Sequence, residues 1–344
     1  MKFLVIRRDN IGDLVCTTPL IRALREHYPD ARIDALVNSY NAPVLAHNPD
    51  LDHVFAYTKA KHRAHGETAL GVHLRRMRLM WSLRREGYDY VILANGGYLS
   101  RPLRLARWVS PRSIVGFVPP KMANSGVDQG VSIDREPRHE VENIFRLLLP
   151  LGIGGMPPGL RLAPDPAQKQ RAARRLADAP WFDAGRDTVA IHISARKVPQ
   201  RWPAERFAAL MRRLYEQRGC QFLLFWSPGD EHNPLHPGDD GKAAAILAAC
   251  DDLPVLPYAT EHLEELIGGL ALCNAMVCSD GGAMHIGAAL GLPIVCFFGN
   301  SDPCTWRPWG VPHEVLQKPS RDVNDISVED ATLAFDRLFA ASGI

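Results

Sequence analysis

The residues with the plainest capacity for chemistry are Asp280, Gly281 and Gly282, in the stretch AMVCSDGGAMHIGAALGLPIVCFF. AMVCS and PIVCFF read as buried strands and AMHIGAAL as a short helix, so the three residues stand at a strand-to-helix turn. The first amides of such a helix have no partner inside it, and the positive end of its dipole lies at the same place. An anion suits that position. The glycines keep side chains away from the backbone, which favours a phosphate or diphosphate. A carboxylate at 280 would repel a diphosphate unless it accepts hydrogen bonds from hydroxyls on what the diphosphate carries, such as a sugar. The competing reading makes Asp280 an ordinary helix cap. His285, one turn into the helix, either approaches the phosphates or is simply packed. GNSDPCTWRPWG, after the next strand, either walls the same pocket or forms a rigid loop around buried indoles.

Two further stretches bear on the same chemistry. RRDNIGD follows the short apolar strand FLVI, which puts Asp13 at a strand's carboxyl end, where open α/β sheets keep their reactive groups. Its plainer role is to cap the helix that follows, and Asp9 in the same loop is a weaker candidate. HISARKVPQRWP, after the strand TVAIHI, offers Arg196, Lys197 and Arg201 as cations for a diphosphate. The loop GDEHNPLHPGDDGK holds two histidines and several carboxylates, but its spacing fits no zinc pattern and it reads as solvated. Asp50-Leu51-Asp52 follows Asn48-Pro49 and reads as turn chemistry.

Elements to position these residues are legible along the chain. Strand-like and helical patterns alternate twice, the pattern of parallel doubly wound sheets, and GGMPPGLRLAPDPAQ between the two alternations is the linker candidate. In the second alternation Phe207, Leu210, Met211 and Leu214 share one helix face, and VEDATLAFDRLFAAS is a last helix. At 344 residues the chain suits two domains, each large enough for its own core. No apolar run approaches the roughly 18 residues that span a bilayer. Seven cysteines without a C-x-x-C pair lie mostly in apolar runs and read as reduced core residues of a cytosolic protein. The net charge of +2 hides an asymmetry: residues 1 to 165 hold 23 Lys and Arg against 16 Asp and Glu, the rest 17 against 22. The amino-terminal half should face the more anionic partner. Much of the excess lies between Lys59 and Arg85, either a solvated helix face or a patch for phosphorylated lipid headgroups or saccharide. No aromatic interleaving or reading motif points to nucleic acid.

Three blocks together, FLVIRRDNIGDLVCTTPLIRALREHYPDARID, VAIHISARKVPQRWPAERFAAL and SDGGAMHIGAALGLPIVCFFGNSDPCTWRPWG, resemble the heptosyltransferases of lipopolysaccharide assembly, glycosyltransferase family 9. They stand in the family's order and span nearly the whole chain. The resemblance implies the GT-B fold, two Rossmann-like doubly wound parallel-sheet domains facing a central cleft. It assigns acceptor binding to residues 1–160 and donor binding to 161–326, with a terminal helix, 327–344, crossing back onto the first domain. The implied reaction is an inverting transfer of heptose from ADP-heptose to lipid A-linked core oligosaccharide, without metal or cofactor. Asp13 is then the general base, and the donor is held by Ser194, Arg196, Lys197, Glu231, Asp280, Gly281, Gly282 and His285. The family usually carries lysine two residues before the Trp of the central block; here Gln200 stands there, with Lys197 three positions earlier. Either Lys197 or Arg196 replaces that lysine by another loop path, or the contact is lost. The implied location is cytoplasmic, peripheral on the anionic inner face of the inner membrane. Alternatives are the same fold with another nucleotide sugar or acceptor, a non-catalytic nucleotide-sugar-binding protein, and a sugar-nucleotide epimerase.

Overall fold

The structure, a computed structural model, describes all residues except 58–68, 123, 135, 234–236 and 343–344. They group into two compact units, Met1–Ala163 and Pro164–Ile344.

The first unit runs β1 (Lys2–Ile6), α1 (Ile11–Val15), α2 (Thr18–His27), β2 (Arg32–Asn38), β3 (His53–Tyr57), α3 (Ala69–Glu86), β4 (Tyr90–Leu93), α4 (Ser100–Val109), β5 (Ser113–Val118), β6 (Gln129–Ser132) and α5 (Glu140–Phe145). Its six strands lie in the order β3-β2-β1-β4-β5-β6, every pairing parallel. Strand β1 is central, and Phe3, Leu4, Val5 and Ile6 are all buried, as expected of a strand covered on both faces. Leu4 and Ile6 join Leu83, Tyr88, Val91 and Leu103 in one core cluster.

The second unit runs α6 (Pro166–Ala177), β7 (Thr188–His192), α7 (Ala204–Arg218), β8 (Gln221–Trp226), α8 (Asp240–Ala249), β9 (Val255–Ala259), α9 (Leu263–Leu270), β10 (Ala275–Ser279), α10 (Gly282–Ala289), β11 (Ile294–Phe298), α11 (Pro303–Trp306), β12 (His313–Gln317) and α12 (Val328–Ser342). Its sheet is also fully parallel, in the order β12-β11-β10-β7-β8-β9. Read from the other edge, this is the first sheet's connectivity repeated, the Rossmann order. No sequence repeat announces it, because the order is fixed by right-handed crossovers and not by particular side chains.

In such a sheet the chain winds one way from the first strand and the other way from the fourth, leaving a crevice at the carboxyl ends of those two neighbours. In the first unit the neighbours are β1 and β4, in the second β7 and β10.

The last helix corrects an expectation. Residues 327–344 were to pack on the first domain, but Ala331, Ala334, Phe335, Leu338 and Phe339 of α12 enter the core of the second unit, with Val189, Leu210, Leu214 and Phe222. The physical reason is the apolar face that α7 presents: Phe335 is fully buried and stacks on Phe339 with ring centroids 4.6 Å apart.

Candidate active site

In the first unit the crevice is built around Arg7, which leaves β1 almost completely buried at 1% exposure. A guanidinium cannot be buried alone. Its Nη2 donates to Asp13 Oδ1 at 2.6 Å and to Glu140 Oε1 at 3.0 Å, its Nε lies 3.2 Å from Asp9 Oδ2, and Nη1 donates to the Ala94 carbonyl after β4. Burial works against the Arg7 cation, yet Glu140, Asp13 and Asp9 outweigh it and lift its pKa above the ordinary arginine value. Burial also pushes the Glu140 carboxyl up, against the pull of Arg7.

Asp13 takes part in the cap of α1. Its Oδ2 accepts from the Asn10 backbone N–H at 3.2 Å and from the Asn10 amide at 3.0 Å, a reciprocal cap on α1. Its side chain is nevertheless 16% exposed, and with Asp9 it opens to solvent an ion-pair cluster whose Arg7 and Glu140 are buried. Asp9 is tied down by Asn95, which donates to Oδ2 at 2.8 Å.

Arg7 and Glu140 were missed in the sequence. An arginine directly after an apolar strand was the available signal for the first. Nothing local marks Glu140, which the His139 cap of α5 presents to a partner 133 positions away.

In the second unit α10 begins at Gly282 after Gly281, and no side chain caps it. Asp280 is therefore not the cap. Its Oδ2 accepts from Ser301 Oγ at 2.5 Å and from Gln200 Nε2 at 2.9 Å, and Gln200 also donates to Ser301 Oγ at 3.1 Å. Burial raises the Asp280 carboxyl above its ordinary range, while Ser301, Lys197 and Gln200 pull it down. Gln200 reaches Asp280 because its turn packs against Gly299: a Cβ there would lie 2.2 Å from the Pro199 carbonyl oxygen. Trp202 anchors the same loop, buried, with its indole N–H on the Ile326 carbonyl at 2.9 Å. A Cβ at Gly281 would meet no protein atom within 4 Å, so the approach to the first α10 amides is open. His285 is buried one turn on and meets the Trp306 ring edge-on at 6.0 Å. With Ser301 on Asp280 and Trp306 on His285, the GNSDPCTWRPWG loop joins the site.

A sequence profile described as glycosyltransferase family 9 (heptosyltransferase) matches residues 76–331. The chain belongs to glycosyltransferase family 9. Lipopolysaccharide heptosyltransferase 3 of Escherichia coli is 25% identical over 351 residues, covering 96% of this chain and 97% of the relative. Lipopolysaccharide heptosyltransferase 2 of Salmonella typhimurium is 27% identical over 327 residues, covering 88% and 84%. Among solved structures, a glycosyl transferase family 9 protein from Veillonella parvula superposes with TM-score 0.83 at 19% identity, covering 99% of this chain and 97% of that one. E. coli heptosyltransferase WaaC with ADP superposes with TM-score 0.75 at 20% identity, covering 98% and 100%. These likenesses give the fold, GT-B with two Rossmann-like domains.

The remaining candidate residues of this family 9 chain surround the β7 end of the same crevice. Ser194 Oγ accepts from the Ser227 backbone N–H at 2.8 Å and so joins the loops after β7 and β8. Arg196 and Lys197 are exposed, and Lys197 is close enough to act on the Asp280 carboxyl. Glu231, beyond β8, is exposed, with the His232 Nε2 3.8 Å from its Oε1. Asp50 and Asp52 are structural: Asp50 pairs with Arg161 at 3.0 Å, and Asp52 with Arg25 at 2.6 Å. Among the described residues no three His, Cys, Asp or Glu side chains group as a metal site, and no helix is long and apolar enough to cross a membrane. Of the basic stretch from Lys59 to Arg85, residues 59–68 lie outside the described residues; the remainder forms α3, with Arg75, Arg76 and Arg78 exposed.

Proposed function

We propose that the chain is an inverting, metal-independent heptosyltransferase that moves heptose from ADP-heptose to a lipid A-linked core oligosaccharide. It would work as a peripheral protein on the inner face of the inner membrane. The observation that carries the reading is the uncapped, open start of α10 at the β7–β10 switch point, with a carboxylate held beside it. The relatives named as lipopolysaccharide heptosyltransferases support the choice of sugar and acceptor, and the basic amino-terminal half supports an anionic surface.

The reaction follows from the groups present. The acceptor hydroxyl oxygen attacks C1 of the heptose while the bond from C1 to the diphosphate oxygen breaks. The electron pair leaves on ADP, and the hydroxyl proton passes to the Asp13 carboxylate. The α10 amides meet the growing negative charge without having to reorganise. Arg196 and Lys197 supply mobile cations, and Asp280 accepts from sugar hydroxyls. Asp13 acts in concert with attack, because a carboxylate is a weak base and gains its effect by position.

Asp13→Asn keeps the size of the side chain and removes the base. Transfer should fall by about 100-fold or more, with ADP affinity close to that of the parent. Unchanged turnover would take Asp13 out of the role, and strong inhibition by EDTA would end the metal-independent reading. Gln200 in place of the family's lysine favours a second reading, the same fold using another nucleotide sugar. Thermal shifts with ADP, UDP and GDP separate the two.

A further inference from the structure

Beside the loop after β1, the first unit holds a cavity of about 620 Å³ whose lining, among the described residues, includes Arg8, Arg76, Arg101 and Arg104 and no carboxylate. The arginines come from three places: Arg8 from the loop after β1, Arg76 from α3, and Arg101 and Arg104 from one face of α4, a turn apart. Tyr57, at the end of β3, holds two of them together. The Arg8 guanidinium lies 4.2 Å from its ring centroid and donates to its hydroxyl, and that of Arg76 lies 5.8 Å from the same centroid. Arg101 and Arg104 are exposed and make no ion pair or hydrogen bond with a described residue. Burial, with the nearby positive charge of Arg76 and Arg101, brings the Arg8 pKa down to about 10. Asp9 pulls the Arg8 value back up in part, whereas Arg101 and Arg104 have no carboxylate partner among the described residues.

We propose that Arg8, Arg76, Arg101 and Arg104 form a subsite for a phosphate monoester borne by the acceptor saccharide. This rests on the reading above that the first unit takes the acceptor. Guanidinium forks match phosphate oxygens in pairs, which a monoester with three free oxygens can satisfy from several sides. The cavity has the volume of a small-molecule site. Its floor of Met80, Leu105 and Trp108 offers an apolar surface for the C–H face of a sugar ring. Arg8 also follows Arg7, the residue that holds Asp13, so the pocket and the base are built from one loop.

The test is a ³¹P NMR titration of the full chain with glucose 6-phosphate, in saturating ADP so that the donor site is filled. The sugar phosphate should bind, glucose should not, and the double variant Arg101→Gln/Arg104→Gln should weaken binding about tenfold or more with ADP affinity unchanged. Equal binding to the variant, or none to the parent, overturns the proposal. Arginine-dependent binding to phosphatidic acid vesicles without binding of the sugar phosphate assigns the pocket to lipid and overturns it too. A transfer assay separates this from the wider reading: removing phosphate from the acceptor should raise KM for the parent and not for the variant. If the parent glycosylates no acceptor while the ³¹P result holds, the heptosyltransferase reading has failed and the phosphate subsite has not.

Discussion

At the scale of single residues, the first unit depends on Arg7. Arg7→Met leaves Asp9, Asp13 and Glu140 facing one another without a cation, and should cost about 3–5 kcal/mol in urea unfolding. Arg7→Lys should recover only part of this, because an ammonium cannot fork between three carboxylates. In the second unit Lys197 pulls the Asp280 carboxyl down against its burial. In Lys197→Gln the carboxyl keeps its proton to higher pH, so the acid limb of donor affinity should move upward in pH. Donor titrations across the acid range would read that shift, and a limb that stays in place would detach Lys197 from Asp280. Asp13 and Asp280 could be found in the sequence because each stands close after an apolar strand, Asp13 in the first turn of the next helix and Asp280 just before one. The partner of Asp280 could not: Gln200 looked like the loss of a cation, and only the close approach at Gly299 makes it a hydrogen-bond donor to that carboxylate.

At the scale of elements, the start of α10 is the part that a ligand would use and the fold would not miss. Gly281 has an extended φ of 167° and free space where a Cβ would stand, so Gly281→Val should fold normally. It should lower ADP affinity about tenfold or more by screening the first amides, read by calorimetric titration beside an unchanged melting temperature. A large loss of stability would mean that the turn is packed and not open. The strand-turn-helix pattern was legible here because periodicity changes over a few residues. Capping was not legible, since Asp before Gly-Gly reads as a cap whether its carboxylate turns to the helix or, as here, to Ser301.

At the scale of the whole molecule, two parallel sheets follow from two alternations of strand and helix, and that much needed only pattern. The docking of α12 depended on which apolar face awaits it, a tertiary fact the sequence does not carry. Phe335→Ala should cost about 3–5 kcal/mol of stability in the second unit, measured by denaturant midpoint. A second measurement concerns Lys242, whose Nζ donates to the Ile193 carbonyl at 3.0 Å and whose burial brings its pKa from 10.5 down to about 8. Between those values the unfolded chain binds the proton and the folded chain does not, so stability rises with pH there. The stability of the parent relative to Lys242→Met should therefore rise from pH 8 to pH 10.5.

The Gln200 amide carries no charge at any pH the fold tolerates, whereas Arg196 and Lys197 are exposed cations, and Lys197 acts on the same carboxylate. Added electrolyte weakens exposed cations and leaves a short, buried amide contact nearly untouched. Donor affinity should then fall with added salt through the exposed cations, while the Gln200 contact that holds Asp280 in place should persist.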